Sequence, residues 1–264
     1  MMNTLSLWMS DSATMLRRQL RHMLRYPSMT LLLIGFPVVF LLLFVYVFGG
    51  VLGAGIGEPS GGRAEYADYV TPGIIMITAA SVAQGTAISV AMDTTGGIIA
   101  RFRTMAISRA SVLTGHVLGA MIQTLIAVAV VVGAALLVGF RPNATALEWL
   151  AAAGVVAMVS WAITWLTVAL GLISESVETA SNLPMPLLFL PFLGSGFVPT
   201  DSMPAGVRWF AEYQPFTPII ETLRSLLMGT PIGNSAIISV VWCVGISLVG
   251  FLWARALFNR DPAR

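Results

Sequence analysis

The chain has 264 residues, 57% of them hydrophobic and only 10% charged, at a mean hydropathy of +0.86. A soluble domain carries roughly a quarter charged residues, and a disordered chain is poor in apolar side chains, so both classes are excluded. Cys243 is the only cysteine, which excludes a disulfide framework and a multi-cysteine metal site; all 14 basic residues are arginine, which excludes any lysine-dependent mechanism within this chain.

The first element covers residues 1–27. Met9, Ala13, Leu16, Leu20 and Leu24 recur at three- or four-residue steps, Arg17, Arg21 and Arg25 line another face with Arg18 beside them, and Pro27 ends the pattern. This predicts a basic amphipathic helix in the membrane interface, with a solvated cytoplasmic helix as the plainer alternative.

Beyond it the charges cluster and leave six uncharged windows, 26–57, 69–92, 110–140, 149–174, 179–200 and 225–254. A helix needs about 20 mostly apolar residues to cross a bilayer, so each window holds one crossing. The predicted crossings, all within 28–257, are Met29–Phe48, Pro72–Met92, Val117–Phe140, Leu150–Ile173, Leu183–Val198 and Ala236–Leu257. The fifth is short and carries Pro184, Pro186 and Pro191, so a broken or re-entrant element is its alternative.

Between the crossings, the glycine-rich 49–71 stretch reads as a flexible external connection, and 93–116 as the longest cytoplasmic loop. The 199–235 stretch reads as an external loop with short surface helices over Val207–Tyr213 and Ile219–Met228. Asn143-Ala144-Thr145 matches a glycosylation sequon, a triplet that arises often by chance. Ten of the fourteen arginines then share the side of both termini, 93–116 and 174–182, which places that side in the cytoplasm; five crossings would send the C-terminal arginines outside. The fold expected is all-α and polytopic, one transmembrane domain over 1–264 with six transmembrane helices, an N-terminal amphipathic interfacial helix and cytoplasmic termini.

The chemistry available is narrow. The windows hold no Asp, Glu, His, Lys or Arg apart from His116 at a cytoplasmic edge, which argues against an ion-coupled carrier. A chain without lysine has no P-loop, so ATP, if used, is hydrolysed elsewhere. Neither His-Glu-x-x-His nor Gly-x-Ser-x-Gly occurs, and His22 and His116 read as satisfied surface histidines, so an enzymatic site is not expected. In the second crossing Thr78, Ser81, Gly85 and Ser89 recur at helical steps with Gln84 beside them, the pattern of close helix packing, with cavity lining as the alternative. Phe36, Phe40, Phe44 and Phe48 form an i,i+4 series in the first, by default a packing or lipid-facing stripe.

Three stretches resemble one family. Thr95 to Arg109 (TGGIIARFRTMAISR) is similar to the cytoplasmic loop of ABC-2 type exporter permeases, closest to the daunorubicin/doxorubicin-resistance branch. A second match runs from Leu187 through Phe197-Val198-Pro199, Met203-Pro204 and Trp209-Phe210 to Gln214-Pro215-Phe216-Thr217, and a third is Tyr66-x-x-Tyr69-x-x-Pro72-Gly73-Ile74. Ala100 and Ala106 stand where family members often have Glu and Pro.

The resemblance implies a permease subunit in a bacterial cell membrane that pairs with a second permease copy, or a homologous one, and with two separate ABC ATPase subunits. ATP and Mg would sit on those subunits; no cofactor on this chain and no nucleic-acid partner is expected. The 93–116 loop would be the coupling element, with Arg101, Phe102, Arg103, Met105, Ile107, Ser108 and Arg109 in matching places. Read from the residues alone, the plainer reading of Arg101, Arg103 and Arg109 is that they set topology and touch headgroups, and it is the resemblance that favours docking. Glu175 and Glu178 are a second contact or a solvated turn. Because the family arranges crossings one, two and five around the dimer axis, Phe40, Phe44, Met76, Gln84, Phe189 and Phe192 are candidate path residues. The expected activity is outward movement of lipophilic drugs or lipids; the alternatives are a lipid or polysaccharide exporter and, in a different class, an ATP-independent channel or membrane scaffold.

Overall fold

The computed structural model describes residues 14, 16–18, 27–56, 62–97 and 109–259. Among these every regular element is helical: α1 (Pro27–Leu43), a π turn (Phe44–Phe48), α2 (Gly49–Ile56), α3 (Arg63–Thr95), α4 (Arg109–Val138), α5 (Ala146–Ile173), α6 (Val177–Asn182), α7 (Met185–Phe189), a 3-10 turn (Thr200–Ser202), α8 (Ala205–Tyr213), α9 (Phe216–Met228) and α10 (Ser235–Phe258). Five stretches are long and apolar enough to cross a membrane: Leu31–Gly53, Arg63–Thr95, Val112–Val138, Ala146–Ile173 and Ser235–Phe258. Each falls on a predicted crossing. Of residues 1–27 only Thr14, Leu16–Arg18 and Pro27 lie among the described residues; the first four are helical and Pro27 opens α1.

The bundle is built around α3. Its 33 residues reach about 50 Å at 1.5 Å each, well beyond the ~30 Å hydrocarbon core. From Val70 to Ala83 every residue is buried, so neighbours cover the helix on all sides. A buried helix in a bilayer has no water for its hydroxyls, and here they bond to their own helix. Thr71, Thr78, Ser81 and Thr86 donate to the carbonyls of Ala67, Ile74, Ile77 and Val82 at 2.6–3.0 Å. At Gly85 an added Cβ would come within 2.9 Å of Leu33 Cδ1, so α1 packs where the side chain is missing. The small-residue series of the second crossing is therefore a packing seam.

The other helices rank by how far they are covered. α5 lies against α3, with the Ala87 carbonyl 2.6 Å from where a Gly171 Cβ would be, and α10 lies against α5, with Leu166 N at 2.6 Å from Gly250 in the same sense. Trp165 meets Phe251 edge-on at 4.9 Å across that second seam. α1, α4 and α10 are peripheral and turn Leu31, Val39, Ile126, Leu137, Val241 and Val249 outward. Outward apolar faces suit a helix whose solvent is hydrocarbon. α5 begins with a capping box: Glu148 N donates to Thr145 Oγ1 at 3.4 Å and Thr145 N to Glu148 Oε2 at 2.6 Å. The sequon's Thr145 is thus the helix N-cap.

Several expectations change. The fifth crossing, predicted over Leu183–Val198, is not one helix but α7 followed by a run of turns to Val198. Pro184, Pro186 and Pro191 have no amide hydrogen for the carbonyls of Ala180, Asn182 and Leu187, so a continuous helical ladder cannot form. The segment nevertheless runs alongside α3. Gln84 Nε2 of α3 donates to Ser181 O at 2.6 Å, and Gly196 abuts Gly73, so the segment runs antiparallel to α3 over eleven helical residues, about 16 Å. The 49–71 loop contracts, because Gly49–Ile56 is helical and α3 starts at Arg63; glycine tolerates the helix where backbone groups must bond internally. The predicted 93–116 loop gives up both ends to helix, since α3 runs to Thr95 and α4 starts at Arg109; 98–108 lie outside the described residues. Of the two helices foreseen at the outer surface, α8 is exposed, but α9 is inserted: Ile219, Ile220, Leu223, Leu226 and Leu227 are all buried.

Candidate functional site

Two groups of side chains stand out, an aromatic cluster between the first and fifth crossings and a charged cluster at the inner end of α3 and α4.

The aromatic cluster grows from the i,i+4 phenylalanines of α1 and its π turn. Ring centroids are 4.5 Å apart for Phe36–Phe40, 6.1 Å for Phe40–Phe44 and 5.5 Å for Phe44–Phe48, a continuous ladder. The π turn at Phe44–Phe48 widens the helix and re-aims the last rings, the kind of bulge often found at functional sites. From the fifth crossing Phe192 reaches Phe40 at 5.8 Å and Phe44 at 6.1 Å, and Phe197 stacks on Phe192 at 4.4 Å and meets Phe44 at 4.5 Å. Of the six candidate path residues the structure brings together Phe40, Phe44 and Phe192. Met76 is fully buried in the core against which they pack, Gln84 is engaged by Ser181, and Phe189 is exposed and joins none of these rings. Phe197 was not foreseen. In the sequence it stands only within the Phe197-Val198-Pro199 motif, and its five-residue spacing from Phe192 is the one signal that could have found it. Each ring pair contributes about 0.5–1.5 kcal/mol beyond area burial, and the cluster presents no charge, so a lipophilic molecule can exchange for its contacts.

The inner cluster centres on Asp93 in the last turn of α3, a residue just past an uncharged window and not foreseen as a site. Arg18 Nη2 lies 2.8 Å from its Oδ1 and His116 Nε2, on α4, 3.2 Å from its Oδ2. His116 is buried, not a surface histidine, and its Nδ1 has no hydrogen-bond partner among the described residues. A carboxylate withdrawn from water needs such partners. They tie the N-terminal segment to the two helices that flank 96–108.

Of the coupling candidates, Arg101, Phe102, Arg103, Met105, Ile107 and Ser108 lie outside the described residues, as do Arg21 and Arg25; Arg109 opens α4 and Arg17 is exposed. Glu175 and Glu178 are both exposed, beside the Ser176 N-cap of α6. The Glu178 amide, and then the Ser176 hydroxyl, hold the Glu178 carboxyl below the usual range. Both carboxylates sit near the end of α5 that meets Ala87 and Val90 of α3, hence on the same side as Asp93. Among the described residues no group of His, Cys, Asp or Glu is arranged to hold a metal ion.

A family model described as ABC-2 type transporter matches residues 12–228. Over 241 residues, 91% of this chain and 82% of the relative, the sequence is 27% identical to the daunorubicin resistance ABC transporter permease protein DrrB1 of Streptomyces coeruleorubidus. Over 163 residues, 62% of this chain and 59% of the relative, it is 26% identical to the "Probable doxorubicin resistance ABC transporter permease protein DrrC" of Mycobacterium tuberculosis.

Proposed function

Because the chain belongs to the ABC-2 type transporter family, and is therefore a multi-pass permease of the bacterial cell membrane, we propose that it exports lipophilic drugs on ATP hydrolysed by a separate subunit. The relatives' names assign drug resistance to those proteins, and this chain takes the same class of cargo. The observation that carries the reading is the uncharged aromatic cluster of Phe40, Phe44, Phe192 and Phe197 between two crossings. Rings from separate elements, joined only by dispersion and quadrupole contacts, part at lower cost than a hydrogen-bonded seam, and they suit an apolar, partly aromatic cargo.

The working unit is two permease copies, identical or homologous, with two ATPase subunits that hold ATP and Mg. The absence of lysine supports this division, since the P-loop needs one. The 93–116 segment docks on the ATPase: Phe102, Met105 and Ile107 are its apolar knobs, Arg101, Arg103 and Arg109 set register, and the exposed Glu175 and Glu178 are a second contact. Asp93, bonded to Arg18 and His116, then links a push on that stretch to α3 and α4.

The test is co-purification with the co-encoded ATPase, reconstitution, and a screen for lipophilic compounds that stimulate hydrolysis. Phe44→Ala and Phe192→Ala are expected to raise the half-stimulating concentration about two- to tenfold each, the weight of one aromatic pair. Absence of a co-purifying ATPase, or stimulation indifferent to both substitutions, overturns the reading.

A further inference from the structure

A crossing that is not helical leaves carbonyls without the amide four residues on, and in a bilayer something else must donate to them. Here side chains do so at several points, just before the fifth crossing and in its second half. Gln84 of α3 donates to Ser181 O, Gln214 to Leu190 O at 3.2 Å, and Tyr66 Oη to Phe197 O at 3.4 Å. The most heavily engaged donor is Arg224 of the inserted helix α9. Its Nη2 donates to Ser195 O at 2.5 Å and to Tyr69 O of α3 at 3.2 Å, and its guanidinium lies over the Tyr69 ring at 3.9 Å. The amide that would serve Ser195 O in a helix belongs to Pro199, which has no hydrogen to give. One side chain therefore joins three elements at the outer end of the crossing, two residues from Phe197, the 3%-exposed ring that closes the aromatic cluster.

We propose that Arg224 is a positioning residue of the exit, the latch that holds the outer end of the fifth crossing shut over the aromatic cluster. The proposal rests on the export reading above. Cargo seated among Phe44, Phe192 and Phe197 leaves outward only if Ser195–Phe197 moves away from α3. Helical bonds would have to melt for that, whereas a side-chain bond exchanges for water or for another carbonyl in one step. A planar guanidinium with several donors re-pairs as the segment shifts, which an ammonium cannot do equally.

The test reads accessibility at position 195. Ser195 is 3% exposed and its hydroxyl has no partner among the described residues, so Ser195→Cys removes no hydrogen bond seen there; it is placed in a Cys243→Ser background. Right-side-out vesicles carrying the full chain and its co-encoded ATPase are treated with a membrane-impermeant maleimide, with or without internal ATP. Slow labelling at rest and faster labelling during turnover are expected. Arg224→Met should raise the resting rate about tenfold, the equilibrium weight of one hydrogen bond to a charged group. Arg224→Lys should restore part of the protection. Tyr69→Leu, which removes the phenol ring beneath the guanidinium but leaves the bonds from Arg224 to the Ser195 and Tyr69 carbonyls, should give a smaller rise, and it decides the matter if Arg224→Met fails to accumulate. Resting rates that stay at the unsubstituted level in Arg224→Met, or in Tyr69→Leu where only that variant accumulates, overturn the latch. The resting comparison needs no ATP, so it stands or falls separately from co-purification of the ATPase, which decides the export reading.

Discussion

Gly73→Ala probes the contact on which the broken crossing depends. A Cβ built on Gly73 lies 2.6 Å from Gly196 O and 2.9 Å from Gly196 C and Cα, against 3.4–4 Å for an ordinary contact. All three atoms are backbone, so none can rotate aside, and α3 must part from the fifth crossing by roughly 0.5–1 Å, an overpacking cost of about 1–3 kcal/mol. At about 2–4 °C per kcal/mol for a chain of this size, the melting temperature should fall by about 3–10 °C. The assay is thermal unfolding of the purified protein in detergent, followed by loss of the monodisperse chromatographic peak. Gly35→Ala in α1 is the control: nothing lies within 4 Å of its built Cβ, and alanine is the better helix former by up to about 1 kcal/mol, so its melting temperature should hold or rise. Equal shifts for the two variants, or an unchanged Gly73→Ala, would refute the backbone contact between α3 and the fifth crossing.

Two further substitutions test the polar contacts that hold the bundle. Asp93→Ala leaves His116 buried without its partner, a loss of about 1–3 kcal/mol, while the Arg18 contact adds at most about 1 kcal/mol because the Arg18 side chain is 39% exposed. Asp93→Asn keeps an acceptor and should recover part of this; an Asp93→Ala protein that melts with the wild type removes the cluster from the account. Gln84→Leu strands the Ser181 carbonyl beside an apolar side chain and should cost about 1–2 kcal/mol, while Gln84→Asn, too short to reach, should behave alike. Stability retained in both would mean that the inner end of the fifth crossing is held by other contacts.

The uncharged windows located five long helices and one interrupted apolar segment, because a charge in hydrocarbon is too costly to leave unmarked. The three prolines at 184, 186 and 191 also showed where the fifth crossing breaks. The fourfold phenylalanine spacing showed the ladder on α1, but not that Phe192 and Phe197 close over it. Asp93, Arg18 and His116 are separated by 75 and 23 positions and carry no shared motif, so nothing short of their spatial meeting links them. The glycine-rich start of the 49–71 stretch misled for a physical reason: in water glycine ends helices, whereas a bilayer offers the backbone no other partner.

The sequence alone therefore determined which segments are apolar enough to leave water, where the arginines cluster between them, and that no P-loop lies on this chain. It could not say which helix is central. α3 and α10 are both uncharged over most of their length, yet neighbours enclose the first on every side while the second turns Val241, Val249 and Leu252 outward. Hydropathy records only the preference for hydrocarbon over water, and lipid and protein interior satisfy it equally. What separates them is contact: glycines at 73, 85, 171 and 250 that admit a neighbour's atoms, and donors at 84, 214 and 224 that serve carbonyls far away in the chain.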